Sequence, residues 1–305
     1  MSTTVTPDTG SATATPTATK KLAKPAGYFR SALRLGRTRL GLFLVAVIVG
    51  IALLGPYFAP FSSGEAVGGG KPAQRHAAGT LFGSDKLGQD VWSRFLLGGR
   101  EILLMAFIAT AAALFIGALV GMLAGYSKGT VDTVLMRSMD IVIAFPSLLL
   151  VLVVFSTFER TNWLIVVVVA FTTVPRIARV IRGAVTPVVE RDFIGAAEAL
   201  GESKVHILRK ELLPNVAAPL LVEASLRIAY SIGLIGALAF LGITSKLNAP
   251  NWGAMINENR NSIATQPWPV VLPALAIAVL TVGAGLIADG LSRATAGIDR
   301  GRADT

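Results

Sequence analysis

Six runs of mainly apolar residues constrain this chain more than any other feature. They cover residues 40–59, 102–126, 134–155, 163–181, 217–243 and 270–291. Each is near the ~20 residues that an α-helix needs to cross the hydrocarbon core of a bilayer. A backbone inside lipid must satisfy its own polar groups, so each run is predicted to be helical. The expected fold is all-α: a polytopic membrane protein with six transmembrane helices. Composition agrees, since 53% of the 305 residues are hydrophobic and 15% are charged. A typical soluble domain carries about 25% charged residues. The fourth run is the weakest, because Pro175, Arg176 and Arg179 interrupt its end. The chain has no cysteine, which excludes a disulfide framework and any thiolate-held metal.

An even number of spans puts both tails on one side. The N-terminal tail carries Lys20, Lys21, Lys24, Arg30, Arg34, Arg37 and Arg39, and the C-terminal tail carries Arg293, Arg300 and Arg302. Arg176, Arg179, Arg182, Arg191, Lys204, Arg209 and Lys210 fall on that same side. Basic residues gather on cytosolic segments, so both termini are expected in the cytosol. Lys71, Arg75, Lys86, Arg94 and Arg100 lie on the other side, which makes the asymmetry a bias rather than a clean split. The net charge of +10 is accounted for by basic segments beside membrane lipid, with no nucleic-acid partner.

The chain divides accordingly. Residues 1–38 read as a basic cytosolic tail, whose Thr/Ala/Pro/Ser stretch 2–19 has too little apolar surface to fold. Residues 39–60 form the first span. Residues 61–100 form an extracytosolic loop, glycine-rich over 62–80 and read as flexible. Residues 101–292 form a five-helix core holding a polar segment at 190–215, and residues 293–305 form the second cytosolic tail. The first ~38 residues are too long and too polar for the n-region of a cleavable signal peptide. No tandem repeat is evident.

The polar segment 191–215 reads R-D-F-I-G-A-A-E-A-L-G-E-S-K-V-H-I-L-R-K-E-L-L-P-N. Two alanines, a glycine four residues after the second, and a closing Leu-Pro predict a short helix, a sharp turn and a second short helix. A compact charged hairpin between apolar spans is a handle by which a cytosolic partner could move the membrane part.

Other features have plainer readings. Gly68-Gly69-Gly70-Lys71 looks like a phosphate loop but fails as one. Pro72 stands where Ser or Thr should hold magnesium, and Glu65 replaces the leading glycine. His76 and His206 are the only histidines and read as solvated, with no second ligand to complete a metal site. Gly117, Gly121 and Gly125 recur every four residues, a spacing that lets helices approach closely in lipid. Glu223 and Arg227, four apart, can pair on one helix face. They and Asp140 form either internal ion pairs or part of a pathway. Asp140 and Asp289 also fit headgroup level. Pro146, Pro175 and Pro273 can each kink a span. Arg176, Arg179 and Arg182 share one face and read as anchors at the membrane surface.

Within the polar segment, Ala196, Ala197, Gly201, Leu213 and Pro214 fall in register with the E-A-A, Gly, Leu-Pro pattern of the coupling loop of ABC importer permeases, which this stretch resembles. Gly195 stands where that pattern has glutamate, with Glu198 nearby. Residues 82–94, F-G-S-D-K-L-G-Q-D-V-W-S-R, resemble the run before the second span in the C-subunit type of the dipeptide/oligopeptide/nickel permeases, with Gln89 replacing an arginine. Asp132-Thr133 through Met139-Asp140, then Ala144-Phe145-Pro146-Ser147, resemble that family's third span. Leu238 to Gly242 and Trp252-Gly253-x-Met255 resemble the end of its fifth span and the segment after it. Ile235 replaces a glutamate that members often carry there. Each motif is moderately specific; their order over residues 30–298 is strong.

The resemblance implies a type I ABC importer permease fold in a bacterial cell membrane. It implies a heterodimer with a second permease subunit, one or two cytosolic ATPase subunits and an extracytosolic substrate-binding protein. It places no cofactor on this chain and puts ATP and magnesium on the ATPases. The coupling set it implies is Phe193, Gly195, Ala196, Ala197, Glu198, Leu200, Gly201, Glu202, Ser203, Leu213 and Pro214. Phe193, Ala196, Ala197 and Leu200 would enter a partner groove, and Gly201 would allow close backbone approach. The substrate implied is a di- or oligopeptide, with nickel or another small ligand as the alternative. An enzyme within the membrane would need a nucleophile and base, or metal ligands, at matched depth. A self-contained secondary transporter would need buried ionisable relays. Asp140, Glu223, Arg227 and Asp289 are too few for that.

Overall fold

The computed structural model describes residues 31–243 and 250–296. The readings of the two tails beyond those limits fall outside the described residues. Five helices are long and apolar enough to cross a membrane. They are α1 (Gly36–Phe58), α2 (Val91–Ser127), α5 (Asn162–Val189), α7 (Lys204–Phe240) and α9 (Trp268–Ala296). A bent pair, α3 (Gly129–Ala144) and α4 (Ser147–Thr157), is the sixth candidate span. Two short helices complete the set, α6 (Asp192–Ala199) and α8 (Trp252–Asn259).

The third apolar run is therefore broken rather than kinked, with 81° between its halves. Phe145 is extended, at φ −91° and ψ 130°. A proline ring disfavours the helical conformation in the residue before it, and Pro146 imposes that on Phe145. Pro175 and Pro273 stand inside uninterrupted helices. Neighbouring helices and side chains can satisfy the carbonyl each leaves free.

α2 is the centre of the bundle and packs on α5, α7 and α1, while α9 closes against α1 and α7. The α2–α5 seam is tight because of its small residues. A Cβ at Gly117 would meet Ile177 Cβ at 2.7 Å, one at Gly121 would meet Ile181 Cβ at 2.9 Å, and one at Gly125 would meet Val185 Cγ1 at 2.8 Å. Gly121→Leu is accordingly expected to separate α2 from α5, since overpacking costs about 1–3 kcal/mol or more. Size-exclusion chromatography in mild detergent should then show aggregate instead of a single species; an unchanged profile would refute the seam. A second small-residue contact, not singled out in the sequence, crosses α1 and α9. There a Cβ on Gly41 would lie 2.6 Å from Gly283 O.

α5 corrects one reading. It does not weaken at its arginines but continues to Val189. Two of those arginines have carboxylate partners within the chain. Arg179 Nη2 donates to Asp140 at 2.6 Å, and Arg182 donates to both oxygens of Asp132 at 2.5 and 2.6 Å. Both pairs join α5 to α3, which buries none of its own residues. At the same end of the bundle, Asp289 accepts from Arg37 and Arg293, each at 3.3 Å. The start of α1 thus lies beside the end of α9.

The loop read as flexible is a folded cap on the opposite face. Val67 N–H donates to Gly88 O at 2.8 Å, Ala73 N–H to Asp85 O at 2.7 Å, and Ser84 N–H to Gln74 O at 2.8 Å. Gly68–Gly70 is one 3-10 turn within it. Ser62 donates to Glu65 from its backbone N–H and its hydroxyl, which holds the Glu65 carboxyl below the usual carboxylate range. Arg94, 2% exposed, bridges Asp85 and Glu258. Trp252 stacks on Phe95 and donates from Nε1 to Phe95 O at 2.8 Å. Gln266 Nε2 donates to the carbonyls of Gln74 and Phe82. The cap is thus fastened to α8 and to the start of α9.

Candidate functional site

The hairpin begins with α6. Asp192 sits in its first turn, where a carboxylate complements the helix dipole. Ile194 is 1% exposed and Ala197 is half-buried against the core. These two residues, three apart, seat the helix on the bundle. Glu198 accepts from Tyr126 Oη at 2.7 Å and ties α6 to the end of α2. Phe193, Ala196 and Leu200 are exposed on the flank beside that seat, with Leu200 at 84%. Of the four residues expected to face a partner, Ala197 therefore turns inward. Sequence reasoning missed Ile194 and Tyr126. Ile194 was readable from the amphipathic period of α6; Tyr126, 72 residues from Glu198, was not.

Gly201 ends α6 at φ 78°. Its N–H donates to Glu198 O at 3.0 Å, and Glu202 N–H donates to Ala197 O at 3.1 Å. These are the paired bonds of a Schellman turn, whose left-handed residue is ordinarily glycine. Ser203 Oγ then accepts from His206 N–H at 3.3 Å and starts the next helix. His206 Nε2 lies 3.6 Å from a Glu202 carboxylate oxygen, and His76 is exposed. Among the described residues, no group of three or more His, Asp or Glu is placed to hold a metal.

The second limb is not the short helix expected. It is the first part of α7, which runs unbroken from Lys204 to Phe240. Leu-Pro does not close the segment, because Leu213 and Pro214 lie inside that helix. Residues Ile207–Leu212 widen into a π turn, with Leu213 N–H donating to Leu208 O. Pro214 accounts for the widening, because its ring crowds the carbonyl four residues back. Val205, in the first turn of α7, is 71% exposed. Beside α6 is a cleft of about 350 Å³ lined by Tyr126, Lys128, Arg191, Gly195 and Glu198 among others. A Cβ on Gly195 would meet nothing within 4 Å.

The charged residues within the spans separate into two places. Glu223, 5% exposed, accepts from Arg227 Nε at 2.8 Å. Asp140 is not with them; it meets Arg179 at the edge of the bundle. Ile235 is buried in the apolar core. One polar contact was not foreseen, the buried Thr110 Oγ1 donating to Ser231 Oγ at 3.0 Å.

Residues 117–297 match the family described as "Binding-protein-dependent transport system inner membrane component". The chain is 32% identical to the dipeptide transport system permease protein DppC of Alkalihalophilus pseudofirmus, over 83% of each chain. It is 32% identical to the glutathione transport system permease protein GsiD of Pectobacterium atrosepticum, over 82% of this chain and 83% of that one. It is 33% identical to the probable D,D-dipeptide transport system permease protein DdpC of Escherichia coli, over 70% of this chain and 72% of that one. Among solved structures, the inward-facing MetNI methionine ABC transporter superposes with a TM-score of 0.51 at 20% identity. That match covers 66% of this chain and 94% of the other, and shows a shared fold. With a family pattern over residues 117–297 and relatives above 30% identity along most of its length, this chain belongs to the inner-membrane components of binding-protein-dependent transport systems.

Proposed function

We propose that the chain is one permease subunit of an ATP-driven peptide importer. It forms half of the translocation path with a second permease. Cytosolic ATPase subunits, which carry the ATP and magnesium, push on the hairpin, and an extracytosolic binding protein delivers the peptide. The face bearing α6, the start of α1 and the end of α9 is then cytosolic. The observation that carries the reading is the row of Phe193, Ala196 and Leu200, exposed along and at the end of a helix that Ile194 and Ala197 seat on the bundle. An apolar helix face of this size fits a groove on a partner. The names of the three relatives, dipeptide, glutathione and D,D-dipeptide, favour a peptide over nickel.

Leu200→Asp tests the coupling role. The side chain is exposed, so insertion and folding should persist. Uptake in proteoliposomes holding the whole complex is expected to fall about tenfold, the loss of one well-packed anchor. ATPase subunits should co-purify less well with the variant. Wild-type uptake and wild-type recovery of the ATPases would remove the hairpin from the coupling role.

A further inference from the structure

The α5–α7 seam holds one positive charge that no carboxylate among the described residues neutralises. Glu223, Arg227 and Tyr230 recur at i, i+4 and i+7 on α7 and so share one face. Arg227 is matched by Glu223. Arg176, on α5, places its guanidinium carbon 5.3 Å from the centre of the Tyr230 ring. Two guanidiniums against one carboxylate leave a single positive charge. Arg176 Nη1 is buried without a hydrogen-bond partner, while the side chain as a whole is half-buried.

The depth of this charge sets it apart. Arg176 lies near the middle of the 28-residue α5, and a rise of 1.5 Å per residue puts it roughly 9 Å deeper in the bundle than Arg182. Charges at such depth are costly and mark pathways when they face an aqueous cavity. Arg94, Arg179, Arg182 and Arg227 each meet a carboxylate within the chain. Arg176 instead has an aromatic face, which holds a guanidinium in position without cancelling its charge. Its planar N–H edge remains suited to a carboxylate. A group that binds a passing ligand must attract it yet release it, and a guanidinium on a neutral ring can do both.

We infer that Arg176, positioned by Tyr230, is an anion-binding point on the translocation path that takes the terminal carboxylate of the peptide in transit. The inference rests on the peptide reading above. Every linear peptide carries that carboxylate whatever its side chains, so such a point would serve many sequences alike.

The test uses the complete complex in proteoliposomes with its binding protein. The probes are a trialanine with a free C-terminus and the same peptide as its C-terminal amide, each at a concentration that fills the binding protein. Arg176→Gln is expected to lower uptake of the free peptide about tenfold, the worth of one charged hydrogen bond. Uptake of the amide should stay within about twofold, which also shows that the variant is folded. Arg176→Lys should recover part of the free-peptide rate, and Tyr230→Leu should fall between. Equal loss for both peptides would overturn the inference and assign Arg176 to packing or to a carboxylate of the second permease. No loss for either would overturn it too. A wild-type complex that carries neither peptide would overturn the peptide reading itself, before any variant is made.

Discussion

Gly201→Val is expected to cut ATP-driven uptake at least about tenfold while the assembled complex continues to hydrolyse ATP. The reason is conformational. Gly201 holds φ at 78°, where an L-residue costs roughly 1–2 kcal/mol and a β-branched one more. Its N–H and that of Glu202 close the end of α6 on the carbonyls of Glu198 and Ala197. A valine would refold this turn and change the placement of Leu200, 84% exposed just before it, relative to α7, which starts just after it. Nothing lies within 4 Å of an added Cβ, so backbone strain and not collision is the cause. Gly201→Asn supplies the control, because asparagine tolerates the left-handed region; most uptake should remain. Uptake and hydrolysis are read in the same vesicles. A valine variant that imports at the wild-type rate would show that the turn does not transmit the stroke.

Arg94→Met should have the largest effect on the opposite face. Asp85 is 0% exposed and Arg94 2%, so removing the guanidinium strands a buried carboxylate. Breaking a buried pair in this way costs about 3–5 kcal/mol. The cap is expected to open, and protease nicking of residues 62–90 should accelerate at least about tenfold. The triple variant Arg94→Met, Asp85→Asn, Glu258→Gln should recover part of the resistance, because it removes the charges together. Unchanged nicking in the single variant would show that the cap is held by Trp252 and Gln266 alone.

The run lengths alone made five spans legible, with the bent pair α3–α4 as the sixth candidate, and the left-handed glycine turn was legible from Ala196-Ala197 and Gly201. What escaped the sequence has identifiable causes. The 81° break at Phe145-Pro146 and the unbroken passage through Pro175 present the same cue, a proline in an apolar run. Neighbouring packing decides between them, and that packing is not local. The ion pairs of Arg179 and Arg182 escaped because their partners, Asp140 and Asp132, lie 39 and 50 residues away. The cap looked loose because its glycines were counted as freedom. Its fastening by Arg94, Trp252 and Gln266 reaches across more than 150 residues. At the hairpin, the inward turn of Ala197 follows from the position of Ile194, one helical turn earlier. The α6 period held that information, and the motif alone did not.

The continuity of α7 has a mechanical consequence. At 37 residues it is a strut roughly 55 Å long, with the hairpin at one end and Gly253 of α8 close against its Gly236 toward the other. A tilt of about 5° around its midpoint would swing each end by roughly 2.4 Å in opposite directions. A push on the hairpin end would thus reach α8 as a pull, by way of the π turn at Ile207–Leu212. On the coupling role proposed above, that wide turn lies next to where the force would enter.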